Sequence, residues 1–341
     1  MAATKSREIR LTSYPVGPPD AKTFELAETS LPDPGPGEIL VRNIWMSVDP
    51  YMRGRMTQRK SYVAPFEIGK PLEGGCVGQV IQSKHDRFAV GDYVLGMSGW
   101  REYWLSDGTG VGHVEAALAP IQTYLGVLGM PGMTAYMGLL KVGEAKAGET
   151  VFVSAASGSV GSLVCQLAKI QGCRVVGSAG SDEKVAWLKD ELGADAAFNY
   201  KKSDNLIKQL AAECPEGIDV YFDNVGGDHL EAALWNMKDF GRVVVCGMIS
   251  QYNATEPVPG PSSIIAVIPK RLKIQGFIVT DFAKQRTEFL SDMANWLGQG
   301  RIRWRETVVE GLENAPQAFI GLFSGDNVGK MLVRVGPDPA V

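Results

Sequence analysis

An apolar run, Val151–Ser154, leads into Ala155-Ala156-Ser157-Gly158-Ser159-Val160-Gly161-Ser162, and a helical pattern follows. This is the spacing of a dinucleotide turn, G-x-G-x-x-G, with Ala156 in the first glycine position. Gly158 lets backbone approach a pyrophosphate, and Gly161 lets helix and strand pack closely. The helix start turns unpaired N–H groups and a positive dipole end toward the phosphates. The plain alternative is a tight strand-to-helix turn without ligand. About twenty residues further on, an enzyme of NAD carries an acid for the ribose 2′-hydroxyl. Here that place reads Gly177-Ser178-Ala179-Gly180, and Asp182 and Glu183 come only later, with Lys184 directly after them. A missing acid beside a cation suits a 2′-phosphate, hence NADPH, with Tyr200 completing the pocket. Lys184 could otherwise be a solvated helix lysine, and Lys201 and Lys202 read as an exposed turn.

Other chemistries lack their residues. The three histidines, His85, His113 and His229, form no H-E-x-x-H and read as surface residues. The segment Pro71-Leu72-Glu73-Gly74-Gly75 lacks the histidine that zinc alcohol dehydrogenases carry in Gly-His-Glu. The five cysteines, Cys76, Cys165, Cys173, Cys214 and Cys246, form no C-x-x-C pair. They read as small buried hydrophobes in a reducing compartment. No tyrosine has a lysine four residues later, and no G-x-S-x-G elbow occurs. What remains is hydride transfer, with no metal expected.

The elements that must hold these groups fall into two textures. Up to about residue 125, Gly- and Pro-rich turns such as Pro32–Glu38 separate short strands, Ile39–Ile44, Gly75–Gln82 and Tyr93–Gly96, which suggests a small, partly open β-barrel. From Val151 onward, apolar strands alternate with helices. The strands are Val151–Ser154, Arg174–Ser178, Ala196–Asn199, Val220–Asp223, Val243–Cys246 and Leu272–Val279. The helices include Val160–Gln171, Asp182–Leu192 and one near Ala283–Leu297. That alternation predicts a doubly wound parallel sheet. The tail, Ile302–Val335, rejoins the first domain. The 341 residues carry a net charge of −4, which offers no field for nucleic acid. With no membrane-length apolar run and no secretory leader in Met1–Arg10, neither a membrane nor a nucleic acid is an expected partner, and the cytoplasm is the expected compartment.

Nearly end to end, the chain resembles the zinc-free medium-chain dehydrogenase/reductase family. It is most similar to the branch of leukotriene hydroxydehydrogenase/prostaglandin reductases, alkenal double-bond reductases and bacterial curcumin reductases. The likeness rests on Ser47-Val48-Asp49-Pro50-Tyr51-Met52-Arg53, Gly129-Met130-Pro131-Gly132-Met133-Thr134-Ala135-Tyr136 and the turn at 155–161. It continues through Gly180-Ser181-Asp182-Glu183-Lys184, Phe198-Asn199-Tyr200-Lys201, Phe222-Asp223-Asn224-Val225-Gly226-Gly227 and Cys246-Gly247-Met248-Ile249-Ser250-Gln251-Tyr252-Asn253. The resemblance implies a GroES-like catalytic domain, 1–125 completed by 301–341, interrupted by a Rossmann domain for NADP at 126–300, and a homodimer. It also implies that Gly158, Ser159, Val160, Gly161 and Ser162 meet the pyrophosphate, and that Gly180, Lys184 and Tyr200 meet the 2′-phosphate. Asn224, the run Cys246, Gly247, Met248, Ile249, Ser250 and Tyr252, the run Phe277, Ile278 and Val279, and Asn327 would contact the rest of the cofactor. Tyr51, Met130 and Tyr252 would face substrate.

The reaction implied is NADPH-dependent reduction of the C=C bond of α,β-unsaturated aldehydes or ketones. Charge then develops on the carbonyl oxygen and needs a donor there. A phenol of ordinary pKa ~10 is protonated at neutral pH and can donate, which makes Tyr252 the candidate. Met133 and Tyr136 read as core or as pocket walls. Quinone reduction by the same fold, or a nucleotide-binding protein without turnover, are the alternatives. The loops Gln58–Phe66 and Asn253–Ile268 leave pocket size open.

Overall fold

Turn-punctuated segments of alternating polarity pair antiparallel, and the first part of the chain does so. The computed structural model describes residues 3–338. Residues 1, 2 and 339–341, which the sequence assigns to the first domain, lie outside the described residues. Strands β1 (Thr4–Leu11) and β2 (Phe24–Leu31) form an antiparallel ribbon running from Thr4 opposite Leu31 to Leu11 opposite Phe24. The Pro32–Glu38 turn, with Gly37 at a φ of 77°, reverses the chain into β3 (Ile39–Ser47). A single turn, α1 (Met52–Arg55), precedes β4 (Cys76–Ser83), β5 (Tyr93–Gly96), β6 (Tyr103–Ser106) and β7 (Gly112–His113).

The chain then changes to strand–helix alternation. Helix α2 (Met130–Met137) leads to β8 (Thr150–Val153), α3 (Ser159–Ile170), β9 (Arg174–Ala179), α4 (Asp182–Asp190) and β10 (Ala196–Asn199). There follow α5 (Leu206–Glu213), β11 (Ile218–Asp223), α6 (Gly227–Asn236), β12 (Met237–Val245), α7 (Val267–Lys270), β13 (Lys273–Gly276) and α8 (Arg286–Gly298). The tail gives β14 (Glu306–Glu310), α9 (Ala315–Ser324) and β15 (Lys330–Arg334).

Strands β8 to β13 make one parallel sheet in the order β10-β9-β8-β11-β12-β13. The winding reverses between β8 and β11. Side chains at the carboxyl ends of these two strands therefore border the crevice in which open α/β sheets take ligands. β8 is buried at all four positions, as a strand covered on both faces must be. The other large sheet runs β14-β15-β3-β4-β5-β7, with β6 also pairing β3. Both predicted architectures are thus present, the barrel-like antiparallel domain and the doubly wound one.

Two compact units result. One takes the chain up to Leu125, Glu306–Asn327 and the chain from Met331; the other takes Gly126–Arg305 and Val328–Lys330. Residues 301–305 pack with the second unit because Gln166 in α3 holds Arg303. Its side-chain amide donates to the Arg303 carbonyl at 2.9 Å and accepts from the Arg303 N–H at 2.7 Å.

The expected strand Leu272–Val279 is a correction. Only Lys273–Gly276 is strand, and Val279 opens a 3-10 turn that runs to Gln285. Four of the five cysteines are buried and Cys246 is half-buried; all are free. Burial pushes the Cys76 and Cys165 thiols up to about 12, so neither is a nucleophile at neutral pH.

Candidate active site

The turn after β8 is built as a dinucleotide turn requires. Ala155 takes a left-handed conformation, φ 47°, which is the bend a first glycine usually supplies, so the bend lies one residue before Ala156. Gly158 is the N-cap of α3 in extended conformation, and no side chain caps this end. The first-turn N–H groups therefore have no capping side chain and face outward as an anion cradle does. At Gly161 a Cβ would stand 2.4 Å from the Ala155 carbonyl oxygen, so only glycine lets the helix close on the turn. Ser159 and Val160 are half-buried, whereas Ser162 is buried with its hydroxyl directed at the Ser159 carbonyl. The turn is braced from two sides. The Ala156 N–H donates to Ser178 at 2.9 Å, and the Gly329 N–H donates to Ser157 at 2.8 Å.

Beyond β9, two side chains gather at Gly180. A Cβ at Gly180 would lie 3.3 Å from Lys201 Cε and 3.5 Å from the Tyr200 hydroxyl, so both side chains lean over this glycine. Lys184 lies in the first turn of α4, its N–H donating to the Ser181 hydroxyl at 3.3 Å. Asp182, the nearest acid, is occupied: Asn199 donates to it at 2.9 Å, and Lys202 pairs with it. These partners hold its carboxyl below the usual range. Lys202 is thus exposed but paired, and Lys201 belongs to the Gly180 cluster.

His229 is a second correction. It is 4% exposed rather than on the surface, and its ring meets Tyr200 edge to face at 4.9 Å. The helical spacing of His229 with Ala232 and Ala233, both buried, marks this inner face of α6.

At the switch point a buried network shapes the other half of the crevice. Asp223, at the end of β11, accepts from the Tyr221 hydroxyl at 2.6 Å and the Ser154 hydroxyl at 3.3 Å. It also accepts from the Val225 and Gly226 N–H groups at 2.9 and 2.8 Å. Burial pushes its carboxyl pKa up, against the lowering effect of those donors. Asn224 donates its side-chain amide to the Ser154 carbonyl at 2.7 Å, which fixes its carboxamide at the mouth of β8. Sequence reasoning assigned no role to Asp223, Tyr221 or Ser154. A charged residue closing an otherwise apolar strand just before Gly226-Gly227 was the available signal.

The Asp223 carbonyl accepts from the Cys246 and Gly247 N–H groups at 2.9 and 3.0 Å, stitching the loop after β12 to this network. Met248 packs over Gly226, and the Ser250 hydroxyl donates to the Val225 carbonyl, so Ser250 serves the loop itself. Ile249 begins a 3-10 turn that ends at Tyr252. There the phenol folds back across its own turn, and the Met248 N–H donates to its hydroxyl at 3.3 Å. A Cβ on Gly247 would stand 3.0 Å from that hydroxyl, closer than side chains normally tolerate. Gly247→Ala is therefore expected to displace the Tyr252 phenol. Steady-state kinetics should show kcat falling about tenfold, in line with a shifted donor.

The remaining candidates are placed as follows. Phe277 and Ile278 follow β13, and the Phe277 ring fills the space a side chain at Gly138 would need. Met130 is 41% exposed at the start of α2. Met133 and Tyr136 are core: the Tyr136 hydroxyl donates to Asp292 at 2.6 Å and Glu288 at 3.2 Å, tying α2 to α8. In the first unit, Tyr51 is half-buried against the core of Met52, Phe66 and their neighbours. Burial and Asp49 push its phenol pKa up. Asn327 is the last residue of that unit before Val328–Lys330. Among the described residues, no three His, Cys, Asp or Glu side chains are grouped to hold a metal ion.

A doubly wound sheet with a glycine turn at its switch point, inserted in a barrel-like unit, defines the medium-chain type of oxidoreductase. The comparisons agree. Residues 7–114 match the model of the N-terminal domain of oxidoreductase, and residues 159–296 match that of zinc-binding dehydrogenase. The chain is 44% identical to the NADPH-dependent curcumin reductase of Escherichia coli, over 99% of this chain and 100% of that protein. It is 45% identical to the NADP-dependent 2-alkenal reductase of Nicotiana tabacum, over 97% of each. The crystal structure of CurA from Vibrio vulnificus in complex with NADPH superposes with a TM-score of 0.93 at 46% identity, covering 97% of this chain and 100% of that one. The chain belongs to the medium-chain dehydrogenase/reductase family, in the branch that holds these curcumin and alkenal reductases.

Proposed function

We propose that the chain is an NADPH-dependent reductase of the C=C bond of α,β-unsaturated aldehydes and ketones, with Tyr252 as its catalytic donor. The observation that carries this reading is the Tyr252 phenol, held over Gly247 by the Met248 N–H at the carboxyl end of the sheet. The printed names of the relatives, curcumin reductase and 2-alkenal reductase, support the substrate class.

The residues present fit NADPH. Gly158 and Gly161 leave the backbone cradle for the pyrophosphate, while Tyr200 and Lys201 lean over Gly180, Lys184 stands in the first turn of α4, and Asp182 is engaged by Asn199 and Lys202. When bound, NADPH supplies the hydride that reaches the substrate's β-carbon. Tyr252 donates a hydrogen bond to the carbonyl oxygen as negative charge grows there. The α-carbon then takes a proton from solvent or through Tyr252, which completes a saturated carbonyl. Asn224, fixed on Ser154, and the loop stitched to Asp223 line the path between turn and phenol.

Following NADPH absorbance with a simple enone, a quinone and no acceptor tests the reading; turnover of the quinone alone would overturn it. Lys184→Ala should raise the KM for NADPH at least tenfold and leave that for NADH nearly unchanged, since only NADPH carries the 2′-charge. Equal effects on both cofactors would remove the 2′-phosphate assignment.

A further inference from the structure

His229 lies in the first turn of α6 with 4% of its surface exposed, on the same inner face as Ala232 and Ala233. Among the described residues, its Nε2 has no hydrogen-bond partner. Burial lowers its pKa to about 4, so the ring is neutral at neutral pH and places no charge beside Tyr200. Its contact is with Tyr200: centroids 4.9 Å apart and planes at 75°, the edge-to-face arrangement that aromatic quadrupoles favour. Tyr200 is 37% exposed, and it opens a short 3-10 turn, Tyr200–Lys202, in which no residue is buried. Its hydroxyl nevertheless stands 3.5 Å from the position of a Cβ on Gly180. An exposed ring on a short turn needs a firm neighbour to keep one tilt, and the buried ring of His229 is that neighbour.

We propose that His229 is a positioning residue for the 2′-phosphate recess: its ring sets the tilt of Tyr200 over Gly180, and with it the preference for a 2′-phosphorylated dinucleotide. This rests on the NADPH reading above. Because the Nε2 makes no hydrogen bond, an apolar replacement breaks none, and the variants are expected to fold.

The test compares wild type, His229→Leu and His229→Phe by titration calorimetry with NADP+, NAD+ and 2′,5′-ADP, after thermal melts show intact folding. Losing one such ring contact should weaken NADP+ and 2′,5′-ADP roughly three- to tenfold in His229→Leu, with NAD+ within twofold. His229→Phe keeps a ring and should stay within twofold of wild type for all three ligands. In turnover, His229→Leu should raise the KM for NADPH while kcat at saturation changes less than twofold. A wild type that does not prefer NADP+ to NAD+ would sink the cofactor reading itself. A wild type with that preference, retained in His229→Leu, would overturn this proposal alone, as would a His229→Phe that loses as much as His229→Leu.

Discussion

Tyr252→Phe should lower kcat toward a simple enone by about 10²–10³-fold, the usual loss when one donor to a developing oxyanion is removed. The expectation follows from how the phenol is held. Its hydroxyl accepts from the Met248 N–H, which orients the oxygen. Phenylalanine keeps the ring over Gly247 and removes the hydroxyl that we propose as the donor to the carbonyl oxygen. The Met248 N–H loses an acceptor, but Met248 is half-buried, so water can replace it at small cost. Rapid-mixing measurement of NADPH oxidation at saturating enone isolates the chemical step. Unchanged turnover would remove Tyr252 from the mechanism.

The second large effect is on stability. Asp223→Ala strips the acceptor from the Tyr221 hydroxyl and from the Val225 and Gly226 N–H groups at the switch point. Buried donors left without partners cost ~1–3 kcal/mol each, and partial hydration brings the sum to about 3–5 kcal/mol. Urea denaturation monitored by circular dichroism measures it. Asp223→Asn retains a carbonyl oxygen for those donors and should lose less than half as much.

The two variants also separate by pH. Because the folded pKa of Asp223 is raised, its contribution to stability is full below the unfolded value of ~3.9 and is lost as pH rises through the folded value. The asparagine variant has no such dependence. Its stability relative to wild type should therefore improve from acid toward neutral pH, and a flat difference would show that Asp223 does not titrate between the two states.

The parts of this molecule legible in its sequence are those that a local pattern dictates. The glycine spacing at Gly158 and Gly161, the apolar runs of β8 and β11 and the missing acid near Gly180 each reflect a backbone or charge requirement within a few residues. Val279 was misplaced because an apolar run cannot distinguish a strand end from a 3-10 turn. His229 was misread because residue type was given more weight than helical spacing. The Asp223 network escaped because Ser154 and Asp223 are brought together only by the order of strands in the sheet, which no local pattern records. The role of Gly247 as clearance for Tyr252 likewise depends on a phenol folding back over its own turn.

The brace between Gly329 and Ser157 bears on how the protein is made. A ribosome releases the glycine turn long before it reaches Gly329, so the second unit can assemble its sheet while still lacking one of the struts of its phosphate cradle. A nascent chain stalled before Val328 should hold a folded sheet whose cradle still lacks the strut that Gly329 supplies.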